Sequence, residues 1–259
     1  MDATELAKEL IDLHDHPRLV TPFSARYPGL TAETGYAAAR QFHAHRLAQG
    51  WKMAGRKIGF TNRTIWQRYG VHQPMWGTVY DRTIVFSQKN HATVPLAGLV
   101  QPRIEPEICF GLRSAPRAAD TASLLEAIDW IAHSVEIVQC ERADWKVTLA
   151  DCAPQNAFHG RLIVGARIPM RAGMAEILPR VSLVLMKNGA EVDRGVGANV
   201  LDSPLLALAH LVALLQEPFK PGEIISTGTL TDAHPIAPGE TWSTRLDGLP
   251  LEGLTIGFR

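Results

Sequence analysis

The pattern of apolar and polar positions divides the chain into two parts. Over residues 33–49 apolar and small residues recur at helical spacing, with Thr31 as a candidate N-cap and Gly50 as a stop signal. Beyond residue 55 the pattern changes to short apolar runs bounded by Gly and Pro, which are typical of strands. The sequence therefore predicts a small N-terminal helical segment, residues 1–54, and a β-rich domain, residues 55–259.

Within the second part, hairpin and capping signals locate individual elements. Asn188-Gly189 predicts a tight turn between two strands, and Ser203-Pro204 predicts the start of a helix. A second helix is predicted over residues 123–132, with Ser123 and Glu126 as a capping box. The predicted strands cover residues 79–86, 104–112, 135–138, 181–187, 190–196, 223–226, 241–246 and 254–258. Without regular alternation of strand and helix, these indicate an α+β, β-rich fold with mixed or antiparallel sheets.

Composition and charge indicate which kinds of binding partner and which cell compartment to expect. The 26 basic and 26 acidic side chains cancel, and no clustered basic excess of the kind that binds nucleic acid is present. We see neither a signal peptide nor an apolar stretch of the roughly 18 to 20 residues that a membrane span requires. Cys109, Cys140 and Cys152 lack a CxxC spacing, which favours reduced core thiols. We expect a cytoplasmic protein without nucleic-acid or membrane partners.

A candidate metal site begins with two carboxylates in residues 101–110, which read QPRIEPEICF. Because side chains alternate along a strand, Glu105 and Glu107 should project to one face about 6 to 7 Å apart, while Ile108 faces the core. Pro106 cannot donate a ladder hydrogen bond, which predicts an edge strand or a bulge at this point. The alternative interpretation is an ordinary solvated polar face.

Glu136 supplies a third acid in a run that is otherwise apolar. Residues 133–138 read HSVEIV, and an uncompensated carboxylate would be costly to bury there. Three carboxylates form an oxygen-rich site that suits Mg²⁺ or Mn²⁺ better than Zn²⁺. The alternative for Glu136 is an ion pair with Arg142 or Lys146.

Two further residues are candidates for chemistry. Lys57 lies between Gly55 and Gly59, where a strand could approach a substrate closely, although a surface charge is the alternative. Asp81 could be a turn residue or a proton relay. The ten histidines show no spacing that brings two imidazoles onto one helix face, so they are interpreted as surface or packing residues.

The order of these motifs resembles the 2-keto-4-pentenoate hydratase and 2-oxo-3-hexenedioate decarboxylase family of the fumarylacetoacetate hydrolase superfamily. The segments that carry the resemblance are KIGFT at 57–61, GTVYD at 77–81, PRIEPEI at 102–108, VEIV at 135–138, DWK at 144–146 and PGEIISTG at 221–228. The resemblance implies a mixed β fold of the fumarylacetoacetate hydrolase C-terminal type and a homo-oligomer. It also implies Mg²⁺ or Mn²⁺ on Glu105, Glu107 and Glu136, with Lys57 and Asp81 near the substrate.

One segment departs from the family pattern and bears on the choice of substrate. Hydratases carry small residues where this chain has Phe158 and His159. A decarboxylase must also hold a second carboxylate, for which Arg142, Arg161 or His159 are candidates.

The expected function is that of a metal-dependent lyase acting on a small unsaturated 2-oxo acid. Hydration of 2-hydroxypenta-2,4-dienoate (2-oxopent-4-enoate) to 4-hydroxy-2-oxopentanoate is favoured over decarboxylation of 2-oxo-3-hexenedioate (4-oxalocrotonate). A C–C bond hydrolase of the fumarylacetoacetate hydrolase type is a further alternative, disfavoured because the N-terminal region offers no convincing His-Glu pair to activate water. A non-catalytic ligand-binding protein is the last alternative.

Overall fold

The structure is a computed structural model that describes residues 2–63, 66–69, 71, 73–215 and 217–259. The side chains of Arg68, Tyr69 and Asp144 lie outside this description. Asp144 belongs to the DWK segment at 144–146 that the sequence analysis singles out.

Short helices precede and punctuate the strands. In chain order the α-helices are α1 (Ala3–Asp15), α2 (Phe23–Arg26), α3 (Ala32–Ala48), α4 (Trp66–Tyr69), α5 (Thr121–Ala127), α6 (Leu149–Cys152), α7 (Met174–Ile177) and α8 (Pro204–Leu214). The predicted caps of α3 and α8 are confirmed, since the Thr31 side chain accepts from the Thr34 N–H and the Ser203 side chain from the Leu205 N–H. Gly50 follows α3 with φ of 80°, as a helix stop requires.

The strands form two sheets of mixed direction. They are β1 (Met53–Gly59), β2 (Met75–Tyr80), β3 (Ile84–Phe86), β4 (His91–Val94), β5 (Arg103–Leu112), β6 (Ile128–Val138), β7 (His159–Val164), β8 (Ile168–Pro169), β9 (Ser182–Lys187), β10 (Ala190–Val196), β11 (Ile224–Thr229), β12 (His234–Pro235), β13 (Thr241–Asp247) and β14 (Thr255–Phe258). The larger sheet has the order β2-β1-β11-β5-β6-β7-β3, with β12 added on β5 and β8 on β6. The smaller sheet has the order β10-β9-β13-β14-β4. Parallel pairs such as β1 with β11 stand beside antiparallel ones, which confirms the predicted mixed architecture.

Each part of the chain has its own apolar cluster. Leu6, Leu10, Phe23 and Phe42 bring α1, α2 and α3 together, which confirms a helical N-terminal segment. The main cluster draws on both sheets and on α8, through side chains such as Ile108, Leu185, Leu208 and Trp242. The boundary at residues 54 and 55 stays a prediction.

The predicted helix over residues 123–132 is wrong beyond Ala127. There α5 ends and Ile128 begins the eleven-residue β6, which pairs with β5 and β7 and is buried along most of its length. This long-range pairing outweighs a local helical pattern. The cap is also one turn earlier than predicted, because the Asp120 side chain accepts from the Ser123 N–H at 3.0 Å.

The predicted strand over residues 79–86 is two strands. A 3₁₀ turn at Asp81–Thr83 separates β2 from β3, and the Asp81 carboxylate accepts from the Arg82 N–H at 2.9 Å. An Asp side chain that bonds to nearby backbone favours a turn over a continuous strand. The break moves β3 to the opposite edge of the larger sheet from β2.

One stretch qualifies the expectation that the chain lacks a membrane span. Gly197–Leu214 reaches the length and composition of a span, with a mean hydropathy of 1.4 over 18 residues. Half of this stretch is buried inside the protein, and its continuous α-helix, α8, has only 11 residues. At about 1.5 Å per residue α8 is roughly half as long as the ~30 Å hydrocarbon core of a bilayer. It is a core helix.

Candidate metal centre

Adjacent strands bring three carboxylates onto one face of the larger sheet. Glu105 on β5 pairs directly with Glu136 on β6, and Glu107 follows two residues along β5. Carboxylate oxygens from the three side chains lie within 4.8 Å of one another. Ile108 belongs to the main apolar cluster, so the predicted alternation along this strand is confirmed.

Pro106 does not lie on an edge strand, and that part of the prediction is wrong. The strand β5 lies between β11 and β6, and the Pro106 carbonyl accepts from the Leu230 N–H at 2.9 Å. The missing donor therefore faces β11, where the register shifts between Ser226 and Thr229. Gly228 lies in this bulge with φ of 101°. The irregularity is on the neighbouring strand, which is how a central strand tolerates proline.

The carboxylates are buried but incompletely hydrogen-bonded. Glu107 and Glu136 have no exposed surface, and Glu105 borders a cleft. The Ser226 hydroxyl donates to Glu107 Oε2, and Glu107 Oε1 has no hydrogen-bond partner among the described residues. Glu136 Oε2 is paired with the Lys57 ammonium group. Buried carboxylate oxygens without partners are costly unless a cation compensates them. An oxygen-only donor set of this kind fits Mg²⁺ or Mn²⁺.

Lys57 points into this cluster and is not a surface charge. It lies on β1, two strands from β5, and is 2% exposed. Its Nζ lies 3.1 Å from Glu136 Oε2 and donates to the Ala157 carbonyl at 2.9 Å. The ammonium group is thus held between a carboxylate and a backbone oxygen.

The Ala157 carbonyl is presented by an unusual turn. Asn156, Ala157 and Phe158 all have positive φ, at 52°, 51° and 61°. The Asn156 side chain anchors the turn to β2 through the Thr78 N–H at 2.6 Å and the Thr78 carbonyl at 2.7 Å. Left-handed conformations in non-glycine residues are uncommon and persist where the surroundings hold them. This strained turn places the Ala157 carbonyl oxygen, a hydrogen-bond acceptor, next to Lys57 Nζ.

The charges in the cluster shift one another's pKa values. Burial raises the pKa of Glu105 to about 7, with Lys57 opposing the shift, and raises that of Glu107 well above its usual value, with help from Glu136 and Glu105. Burial would also raise the pKa of Glu136, but Lys57 and His159 outweigh it and the pKa is lowered. Burial would lower the pKa of Lys57, but the attraction of the three carboxylates raises it. Without a cation the cluster therefore keeps Lys57 charged and favours protons on Glu105 and Glu107.

The partners of Glu136 differ from the predicted ion pair. Glu136 contacts Lys57 and also His159, whose Nδ1 lies 2.7 Å from Glu136 Oε1. Arg142 instead packs its guanidinium over the Phe23 ring at 4.0 Å. His159, which the sequence analysis interprets as a surface or packing residue, is buried and paired with Glu136. The signal that could have found it is its position in the segment that departs from the family pattern.

Asp81 is not brought to the cluster. The register of β1 and β2 places Gly77 opposite Lys57 but Tyr80 opposite Met53, so Asp81 lies beyond the far end of the pair. Its exposed carboxylate accepts from the Lys52 N–H at 3.0 Å. The structure supports the turn interpretation of Asp81 and separates it from the cleft.

The cleft beside the carboxylates has apolar walls and one cation that sequence reasoning missed. Met75, Val138 and Phe158 line it together with Lys57 and Glu105. Arg103 also lines the cleft, and its guanidinium lies over the Trp145 ring at 4.6 Å. The three cations proposed from sequence for a second carboxylate, Arg142, Arg161 and His159, do not line it.

The cysteines are free and buried, as expected. Burial raises the pKa of Cys109 and of Cys140 to about 12 and that of Cys152 well above its usual value. Thiols of this kind are poor nucleophiles. The chemistry of the site rests on carboxylates and Lys57.

Comparison with known proteins identifies the family of the chain. A 2-keto-4-pentenoate hydratase of Paraburkholderia xenovorans (strain LB400) is 30% identical over 95% of this chain and 91% of its own length. A 4-oxalocrotonate decarboxylase of Pseudomonas sp. (strain CF600) is 31% identical over 92% of this chain and 89% of its own. The structure of 4-oxalocrotonate decarboxylase from Pseudomonas putida, complexed with magnesium and adipate, superposes with a TM-score of 0.90 at 27% identity, covering 99% of this chain and 97% of that one. The family model described as fumarylacetoacetate (FAA) hydrolase C-terminal matches residues 54–254. The chain therefore belongs to the fumarylacetoacetate hydrolase family.

Proposed function

We propose that this protein is a divalent-metal-dependent lyase that hydrates 2-hydroxypenta-2,4-dienoate to 4-hydroxy-2-oxopentanoate. The observation that carries the proposal is the buried cluster of Glu105, Glu107 and Glu136, in contact with Lys57 at the base of a cleft. Hydratases and decarboxylases of 2-oxo acids are among the relatives that match most of the chain.

The three carboxylates would hold the cation, with Mg²⁺ or Mn²⁺ as the ions that suit oxygen ligands. The bound ion supplies a Lewis acid that stabilises negative charge on the 2-oxo oxygen of the substrate. The carboxylate oxygens best suited to bind the cation are Glu107 Oε1, which lacks a hydrogen bond, and Glu136 Oε2, whose neighbour is Lys57 Nζ. The magnesium in the Pseudomonas putida decarboxylase structure supports a divalent ion in this family.

Lys57 is the proton donor and electrostatic partner in this proposal. In the metal-free site its raised pKa keeps Nζ protonated and positively charged at neutral pH, which supports the electrostatic role. Protonation of the dienoate at C5, with loss of the 2-hydroxyl proton, gives the 3-enoate, to which water adds its oxygen at C4 and a proton at C3. The Lys57 ammonium group beside the 2-oxo oxygen would stabilise the negative charge that develops on that oxygen in the first step. Met75, Val138 and Phe158 would pack on the hydrocarbon part of the substrate and limit the access of bulk water.

Arg103 favours a second candidate, the decarboxylation of 2-oxo-3-hexenedioate. This substrate carries a distal carboxylate that must be bound before it leaves as carbon dioxide. Arg103 provides a guanidinium on the cleft wall, and adipate, the ligand of the similar decarboxylase, is also a dicarboxylate. The 2-oxo acid end of both substrates would use the same carboxylate and Lys57 cluster. Hydratase activity remains the first choice because several relatives that match most of the chain are hydratases.

One experiment separates the two reactions. Purified protein with Mg²⁺ is incubated with each substrate, and products are identified by mass, with Arg103→Met and the exposed Arg245→Met as matched variants. A hydratase forms 4-hydroxy-2-oxopentanoate and keeps its kcat/KM for the monocarboxylate in Arg103→Met. A decarboxylase releases carbon dioxide from the dicarboxylate and loses that activity in Arg103→Met but not in Arg245→Met. Consumption of neither substrate would reject the proposal.

The C–C bond hydrolase alternative has less support. The His159–Glu136 pair is the only contact of a histidine with the three carboxylates among the residues that the structure describes. His159 does not line the cleft, so it is not positioned to activate a water molecule against a substrate there. A homo-oligomer and a cytoplasmic location stay predictions.

A further inference from the structure

His159 is directed at Glu136 by an irregularity in the sheet. Pairing between β6 and β7 joins Glu136 with Leu162 and Val138 with His159, so β7 contains one extra residue between these pairs. In an unbulged ladder Gly160 would lie opposite Val138. The bulge places His159 there instead, on the face that carries Glu136. Gly160 suits the bulge because a Cβ at that position would lie 2.6 Å from the Ile137 carbonyl oxygen.

The imidazole is held at both ends. Its Nδ1 lies 2.7 Å from Glu136 Oε1, and its Nε2 lies 2.8 Å from Thr83 Oγ1. Both side chains of the His159–Glu136 pair are about 1% exposed. Since an ionised carboxylate can only accept, Nδ1 donates in this bond. One oxygen of Glu136 is thereby occupied by His159, and the other, Oε2, faces Lys57 Nζ at 3.1 Å.

His159 contacts the Glu136 carboxylate but does not line the cleft. It lines a separate cavity with Thr83, Gln139 and Arg161, whereas the cleft contains Lys57 and Glu105. A substrate in the cleft would therefore not touch His159.

We propose that His159 is a positioning residue that fixes the Glu136 carboxylate, so that Oε2 is the oxygen offered to a divalent cation. This inference rests on the proposed metal site. Groups that hydrogen-bond to metal ligands set ligand orientation, and their loss typically weakens metal binding about 10- to 100-fold.

Two isosteric variants separate positioning from the simple filling of buried space. In His159→Asn the amide nitrogen takes the place of Nδ1 and can still donate to Glu136. In His159→Gln it takes the place of Nε2 and reaches Thr83 instead. Calorimetric titration with Mn²⁺ should give an affinity within severalfold of wild type for His159→Asn and a loss of at least about tenfold for His159→Gln. kcat measured at saturating Mn²⁺ should follow the same order.

Folding is checked by circular dichroism and by melting in EDTA. Should either variant fail to fold, Thr83→Val frees the far end of the ring and should weaken Mn²⁺ binding severalfold. Equal Mn²⁺ affinity in wild type and in every folded variant would overturn the role of His159, as would equal losses in His159→Asn and His159→Gln. Failure of the wild-type protein to bind Mn²⁺ would instead reject the proposed function.

Discussion

Glu105 and Glu136 lie directly opposite each other on antiparallel strands β5 and β6, with Glu107 on the same face. Like charges in this relationship destabilise a sheet, and burial increases the cost. Burial, together with repulsion among the carboxylates that Lys57 offsets only in part, raises the pKa values of Glu105 and Glu107. A divalent cation would remove this conflict.

Metal binding should therefore release protons. Because the pKa of Glu105 is raised to about 7 by burial, its carboxyl is mainly protonated at pH 6 and must lose that proton to become a ligand. Mn²⁺ affinity should rise with pH towards 7 by about tenfold per unit for each displaced proton. Calorimetry at pH 6 in two buffers of different ionisation enthalpy measures the release. Binding without proton release at that pH would contradict the pKa assignment.

Lys57→Met should lower kcat more than it raises KM, because the ammonium group is required as charge develops in the transition state. A loss of at least roughly a hundredfold is expected for a proton-transfer group. Mn²⁺ binding should survive. The exposed Lys52→Met is the matched control and should keep wild-type rates. Near wild-type kcat in a metal-loaded Lys57→Met protein would exclude Lys57 from catalysis.

Asp81→Asn should have almost no effect on turnover. The amide oxygen can still accept from the Lys52 and Arg82 N–H groups. Surface substitutions of this type change the free energy of unfolding by about 0.5 kcal/mol or less, so the protein should stay folded and keep its turnover. Steady-state kinetics with the preferred substrate test this. A kcat/KM reduced by an order of magnitude or more would return Asp81 to the catalytic role that the family resemblance suggested.

The sequence could predict the parts of the site that depend on local rules. Strand alternation places Glu105 and Glu107 on one face, and the cost of burying a carboxylate singles out Glu136. Both rules require only neighbouring residues. A third local rule, the turn preference of Asn-Gly, predicts the hairpin at Asn188-Gly189, and both residues have the positive φ that the turn requires.

Contacts between distant segments could not be predicted in this way. The β7 bulge that turns His159 towards Glu136 depends on pairing with β6, and the position of Arg103 over Trp145 depends on a loop packed against β5. Pairing with β5 likewise converts the helical pattern after Ala127 into β6. In each case contacts between distant segments, and not the local sequence pattern, determine the structure.

Direct titration with Mn²⁺ tests the central claim that Glu105, Glu107 and Glu136 hold a divalent cation. Glu107→Gln removes an anionic ligand with little change in volume, and Glu126→Gln, at an exposed ion pair with Arg117, is the matched control. We predict one Mn²⁺ per chain in wild type and in Glu126→Gln, and an affinity weaker by at least about tenfold in a folded Glu107→Gln protein. Unchanged Mn²⁺ affinity in Glu107→Gln would contradict the account.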